Sequence, residues 1–111
     1  MGRFIKGDVV VVPFPFSDLS ASKRRPALVA ATLGTGDDVV LCQITSRTFA
    51  DSFSIHLAQS DFATGGLRRN SNVRPNRLFT ADTKIILYRA GQLSVSKMKA
   101  ITAKIIELIS A

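Results

Sequence analysis

Val9-Val10-Val11-Val12 is a run of four β-branched residues closed off by Pro13-Phe14-Pro15-Phe16. Side chains branched at Cβ crowd a helix and sit well on a pleated surface, so the run predicts a strand. Proline cannot donate to a ladder, so the two prolines mark a strand end or an edge. The same grammar recurs down the chain. Pro26-Ala27-Leu28-Val29-Ala30-Ala31-Thr32 reads as a second, buried strand and Val39-Val40-Leu41-Cys42-Gln43-Ile44 as a third, with the turn signal Gly34-Thr35-Gly36-Asp37-Asp38 between them. Phe53-Ser54-Ile55-His56-Leu57 alternates apolar and polar, the mark of a half-buried strand. Ala63-Thr64-Gly65-Gly66 breaks the chain, and Ile85-Ile86-Leu87-Tyr88 predicts a late strand before Gly91.

The last segment changes period. Val95, Met98, Ile101, Ile105 and Leu108 recur at three- and four-residue spacing, which predicts an amphipathic helix. Ser94 or Ser96 is placed to cap it, and Lys97, Lys99, Lys104 and Glu107 fall on its solvent side. Short strands in succession and one terminal helix predict a mainly β fold, a small SH3-like barrel, with residues 1–111 forming a single domain. A chain of 111 residues, 46% of them hydrophobic, suits one folded domain of this size.

Fifteen Lys and Arg stand against eight Asp and Glu, a net charge of +7 that favours polyanionic partners. Arg outnumbers Lys, nine to six, and the guanidinium fork matches phosphate geometry better than an ammonium does. The single cysteine, Cys42, excludes an intramolecular disulfide framework and, set in an apolar run, reads as a buried thiol. No apolar run approaches the roughly 20 residues of a membrane helix, and the first residues lack the pattern of a signal peptide. The expectation is a soluble, cytoplasmic protein that binds no membrane.

Phosphate-loop, dinucleotide and HExxH motifs are absent from the sequence. One His and one Cys cannot make a zinc site, and the carboxylates are scattered, so any catalysis is expected to need neither metal nor cofactor. The basic groups remain. Lys23, Arg24 and Arg25 stand where a polar loop meets a strand, with Pro26 holding Arg25 extended; a solvated basic loop is the plainer reading. Thr45 and Ser46 close the third strand beside Arg47, as a phosphate-binding corner or as an ordinary strand-end turn. His56 has the pKa range for acid–base work, yet its strand position equally suits a surface histidine. Residues 67–78 carry Arg68, Arg69, Arg74 and Arg77 interleaved with Asn70, Ser71, Asn72 and Asn76, which fits an RNA-binding segment or a polar loop.

Together these pieces resemble the MazF/PemK-like growth-inhibitor toxins of type II toxin–antitoxin systems. Gly7-Asp8-Val9-Val10-Val11-Val12-Pro13-Phe14-Pro15-Phe16 with Lys23-Arg24-Arg25-Pro26-Ala27-Leu28-Val29 is similar to the family's first motif. Ile44-Thr45-Ser46-Arg47 resembles the second, and the stretch from Ser71-Asn72-Val73-Arg74-Pro75-Asn76-Arg77 to Asp82 the third. The likeness covers residues 7–109. It implies the barrel of the Kid/MazF/CcdB type, a homodimer, and metal-independent cleavage of single-stranded RNA at short sequences. In that reaction the RNA's 2′-OH attacks the adjacent phosphate, and a cognate antitoxin blocks the site. It also implies catalytic roles for Arg25 and Thr45. Ser46, Arg74 and Asn76 become possible catalytic or RNA-binding residues, and Lys23, Arg24, Arg47, Arg68, Arg69 and Arg77 RNA contacts. Some members carry an Asp where this chain has Asn76, and an amide cannot take a proton as a carboxylate does. Two other readings fit the same fold: a toxin that poisons DNA gyrase, as the CcdB branch does, and a non-catalytic nucleic-acid-binding barrel.

Overall fold

The computed structural model describes residues 3–14, 23–34, 36–47 and 52–111. Among them, seven strands form one curled antiparallel sheet: β1 (Asp8–Phe14), β2 (Lys23–Thr32), β3 (Asp38–Thr45), β4 (Ile55–Leu57), β5 (Phe62–Gly65), β6 (Ser71–Asp82) and β7 (Tyr88–Leu93). Their order across the sheet is β4-β6-β3-β2-β1-β7-β5, and the helix α1 (Val95–Ser110) ends the chain. The sheet curls into a half-barrel, the SH3-like architecture expected. No helix among the described residues is long and apolar enough to cross a membrane.

Alternation along the three central strands makes two cores. One face carries Val9, Leu28, Cys42, Ile44 and Val73, packed under Met98 and Ile101 of α1. The other carries Val10, Val12, Ala27, Val29, Val39 and Leu41, covered by Phe4, Phe79, Ala81, Ile85 and Ile86. Strands buried on both faces read as continuous apolar runs, which is why β1 is four valines rather than an alternating pattern. β1 is central, not an edge. It pairs with β2 from Val9 to Phe14 but with β7 only from Asp8 to Val11, so Pro13 falls where β7 makes no demand on its nitrogen.

Three sequence expectations need correction. Lys23-Arg24-Arg25, placed where a loop meets a strand starting at Pro26, is itself the start of β2, held against Phe14, Pro13 and Val12 of β1. Residues 67–78, which fit an RNA-binding segment or a polar loop, lie from Ser71 onward in the longest strand, β6, paired with β3 on one side and β4 on the other. The late strand lies at Tyr88–Leu93, with Thr83–Ile85 a single 3-10 turn whose isoleucine helps cover the second core. β5 falls at the Gly65 break. Gly65 has φ +65° and faces Gly91 of β7; a Cβ there would collide with the Ala90 carbonyl, and one on Gly91 would come within 2.6 Å of the Thr64 carbonyl. Both glycines serve close backbone approach inside the sheet.

The helix follows its periodicity. The Ser94 hydroxyl accepts from the Lys97 N–H at 3.2 Å, and Met98 and Ile101 are buried, while Val95 remains exposed. Asp61 steadies the same corner: its carboxylate accepts from the Ala58 N–H at 2.7 Å and lies 3.4 Å from the Lys97 ammonium. Across β7, Asp8 is buried, accepts from the Ile5 N–H at 2.8 Å and pairs with Arg89 at 3.0 Å. Arg89 in turn donates to the Arg3 carbonyl and lies over Phe4, which fastens the N-terminal segment across the second core.

Candidate functional site

Register brings the predicted residues into one row. Ala27 pairs with Gln43, Leu28 with Cys42 and Val29 with Leu41; the ladder ends at Ala27–Gln43, and Arg25 and Thr45 each stand two residues beyond it, on the same face by alternation. Val12 is the partner of Arg25 on β1, and Asn72 the partner of Thr45 on β6. Directly opposed residues share a face of the sheet, here that of the second core. That core ends at Val12 and Ala27, so Arg25 and Thr45 occupy its exposed continuation.

Each group is held by a specific contact. The Arg25 guanidinium lies 5.3 Å from the centre of the Phe14 ring, a cation–π contact that braces a charge otherwise exposed to solvent. Phe14 and Arg25 come together because both follow Val12 on this face by alternation and pairing. The Thr45 Oγ1 accepts from the Arg47 N–H at 3.1 Å, a strand-end turn that leaves its own O–H available to donate. The Arg47 carbonyl accepts from the Asn72 amide at 3.1 Å, tying the corner after β3 to β6. Ser46 and Arg47 are exposed in this corner.

The basic triplet divides. Lys23 and Arg25 alternate onto the face of the row and Arg24 onto the other, so the three cannot serve one surface together. Arg68 and Arg69 are exposed in the link before β6 and border a cavity of about 270 Å³ with Leu57, Gln59, Phe62, Leu67, Asn70 and Ser71.

The third motif forms a bulge. Cys42 pairs with Leu78 and Ile44 with Val73, so Gln43 alone faces Arg74, Pro75, Asn76 and Arg77. Asn76 and Arg77 stand exposed in it. Arg74 does not: it is 6% exposed, and its guanidinium donates to the Ser54 hydroxyl at 2.9 Å. Its carbonyl accepts from the Cys42 thiol at 3.0 Å, and burial pushes that thiol up to about 12. Arg74 therefore braces the bulge against the approach to β4. Residues 15–22, which hold the polar loop before Lys23, and residues 48–51, after Arg47, lie outside the described residues. No three His, Cys, Asp or Glu side chains cluster among the described residues.

Sequence reasoning passed over two members of the row. Asn72 was one of several interleaved amides, and His56, its partner on β4, had no assigned role. The signal for His56 was present: Ile55 and Leu57 on either side pack into the first core, so His56 points to the other face.

Fold and site together define a small basic half-barrel that offers an arginine and a hydroxyl side by side on a rigid sheet. Residues 5–109 match the family model described as PemK-like, MazF-like toxin of type II toxin-antitoxin system, and the chain belongs to that family. Solved structures repeat the fold. MazF from Deinococcus radiodurans superposes with a TM-score of 0.77 at 19% identity, covering 100% of each chain. A mycobacterial endoribonuclease in complex with its cognate antitoxin gives 0.76 at 15% identity, covering 97% of this chain and 96% of that one. The Mycobacterium tuberculosis toxin MazF-mt6 gives 0.73 at 16% identity, covering 93% and 96%. No curated protein matches by sequence.

Proposed function

We propose that this toxin is a sequence-specific, metal-independent endoribonuclease that cuts single-stranded RNA, mRNA in the cytoplasm, and so stops translation and growth. The observation that carries the reading is that Arg25 and Thr45 each lie two residues beyond the Ala27–Gln43 pair of β2 and β3, on one sheet face. A phosphodiester laid across β2 and β3 meets both. The 2′-oxygen attacks the adjacent phosphorus and the P–O5′ bond breaks. The 2′-hydroxyl proton passes to solvent and the 5′-oxygen takes one up, leaving a 2′,3′-cyclic phosphate and a 5′-OH. Charge builds on the phosphoryl oxygens in the transition state, and a fixed guanidinium there stabilises it without reorganising. Arg25 is that cation, held by β1 and Phe14. Thr45, its acceptor lone pair engaged by the Arg47 N–H, donates its proton to a phosphoryl oxygen and fixes the phosphate.

Ser46, Arg47, Asn76 and Arg77 border the row and Lys23 shares its face, so these contact the RNA on either side. Arg68 and Arg69 extend the positive track before β6, and Arg24, on the opposite face, meets RNA that passes over the end of β2. Arg74 is the exception: buried, it acts on the reaction through the bulge it holds. Asn76 supplies a hydrogen bond and no proton transfer.

The family and the antitoxin-bound neighbour support a cognate antitoxin as partner. An excess of seven positive charges suits an acidic chain laid over the same row. A homodimer fits as well: Val95, Ile106 and Ile109 are left exposed on α1, apolar area that an assembly would cover. The test is incubation of the protein with a long single-stranded RNA in EDTA, with 5′-OH ends mapped. Discrete cuts at a shared short sequence are expected. Intact RNA would return the choice to a gyrase poison or a binding barrel.

A further inference from the structure

The row does not stop at Thr45. Thr45 pairs with Asn72 and Asn72 with His56, so the chain's one histidine stands two strands beyond the catalytic hydroxyl on the same face. Its backbone is fixed from both sides, because Ile55 and Leu57 are packed into the first core. Its ring is exposed and lies near enough to the Asp61 carboxylate to add to what holds that carboxyl low. Each step between paired strands is about 5 Å, which puts the His56 and Thr45 backbones roughly 10 Å apart. That offset lies beyond the oxygens of a phosphate held by Thr45 and suits the neighbouring nucleotide. Between the two, Asn72 has an amide proton committed to the Arg47 carbonyl, which fixes the orientation of the amide and leaves its Oδ1 as an acceptor.

We propose that His56 and Asn72 form the subsite for the nucleotide adjoining the cut, His56 stacking on its base and Asn72 Oδ1 accepting from an exocyclic amino group. Adenine, cytosine and guanine carry such an amino group and uracil does not, so uracil is the disfavoured base. An aromatic ring on an open sheet face is a common platform for an unstacked base, and the amide adds the edge contact that stacking lacks. Arg68 and Arg69, just before β6, keep the phosphates of this stretch in a positive field. The subsite rests on the ribonuclease reading of Arg25 and Thr45, and two strands separate it from Arg25.

The test compares wild type, His56→Ala and His56→Phe on a short single-stranded RNA containing one mapped cut site, with cleavage-site preferences read on a long RNA. His56→Ala is expected to raise KM roughly tenfold with kcat within about twofold, and to relax the preference at one position beside the cut. His56→Phe, which keeps the flat ring, is expected to restore both. Unchanged KM and preference in His56→Ala would overturn the subsite. So would a fall in kcat, unrescued by Phe, together with loss of a pH-rate limb near neutrality, because the imidazole would then be moving a proton. The ring is exposed, so equal thermal midpoints confirm that folding is not the cause. If wild type leaves RNA whole, the ribonuclease reading fails by itself. The subsite is then decided by anisotropy with a labelled RNA, where His56→Ala must bind about tenfold more weakly for it to stand.

Discussion

Replacing Arg74 separates a residue that touches RNA from one that holds the fold beneath it. Its guanidinium is 6% exposed and donates to Ser54 at 2.9 Å, joining the β6 bulge to the segment entering β4. A buried hydrogen bond to a charged group contributes about 1.5–3 kcal/mol, and truncation to Ala also leaves a void. Arg74→Ala should therefore cost about 3 kcal/mol. For a domain of this size, each kcal/mol moves the midpoint by roughly 4–8 °C, so thermal unfolding followed by circular dichroism should show a fall of at least about 12 °C. Arg74→Met fills the space without burying a charge, and such exchanges cost far less than removing one partner of a buried polar contact. It should recover most of the midpoint. Cleavage assayed well below each variant's midpoint should follow the same order, with Met close to wild type. Near-native midpoints for both variants with cleavage abolished in both would refute the reasoning, for Arg74 would then be reaching the RNA itself.

Two further expectations concern titrating groups. The Ala58 N–H, and then Lys97, hold the Asp61 carboxyl below the usual carboxylate range. A carboxyl lowered in the folded state stabilises above its unfolded value, near 4, and that contribution is lost as pH falls through the folded one. Urea unfolding of wild type and Asp61→Asn should therefore differ at pH 6 and converge toward about pH 2; a constant gap would contradict the assignment. The Cys42 thiol, pushed up to about 12 by burial, stays protonated when folded. Iodoacetamide at pH 8 should label it in urea and spare it in the native protein, and rapid native labelling would show that the first core is open.

How far the sequence reached can be traced residue by residue. The helix was legible because its burial repeats every three to four residues and Ser94 stands where a cap belongs. β1 and β3 were legible because both their faces are buried, leaving little but Val, Leu and Ile. β6 was not, since Ser71, Asn72, Arg74, Pro75, Asn76 and Arg77 have loop composition; only the pairing of Ser71–Val73 and Leu78–Asp82 with strands distant in sequence carries the strand through the bulge between them. The Ile85-Ile86 pair looked like strand and is a cover over the second core, a role that local propensity cannot signal. At the site, Arg25 and Thr45 were nameable by resemblance, but that they stand side by side is a matter of β2–β3 register. The burial of Arg74, the split of Lys23 and Arg24 between two faces, and the alignment of His56 with Thr45 are likewise products of register and bulge.

The central claim is that Arg25, set beside Thr45, drives RNA cleavage without a metal. Its most direct test is a side-by-side digestion of one long single-stranded RNA by wild type and Arg25→Ala in EDTA, with 5′-OH ends mapped and both proteins shown folded. Arg25 is exposed, so its loss should leave the thermal midpoint nearly unchanged. The account expects discrete cuts by wild type and at least a hundredfold fewer by the variant, the scale on which removing one transition-state donor acts. Equal cutting by the two proteins would contradict it.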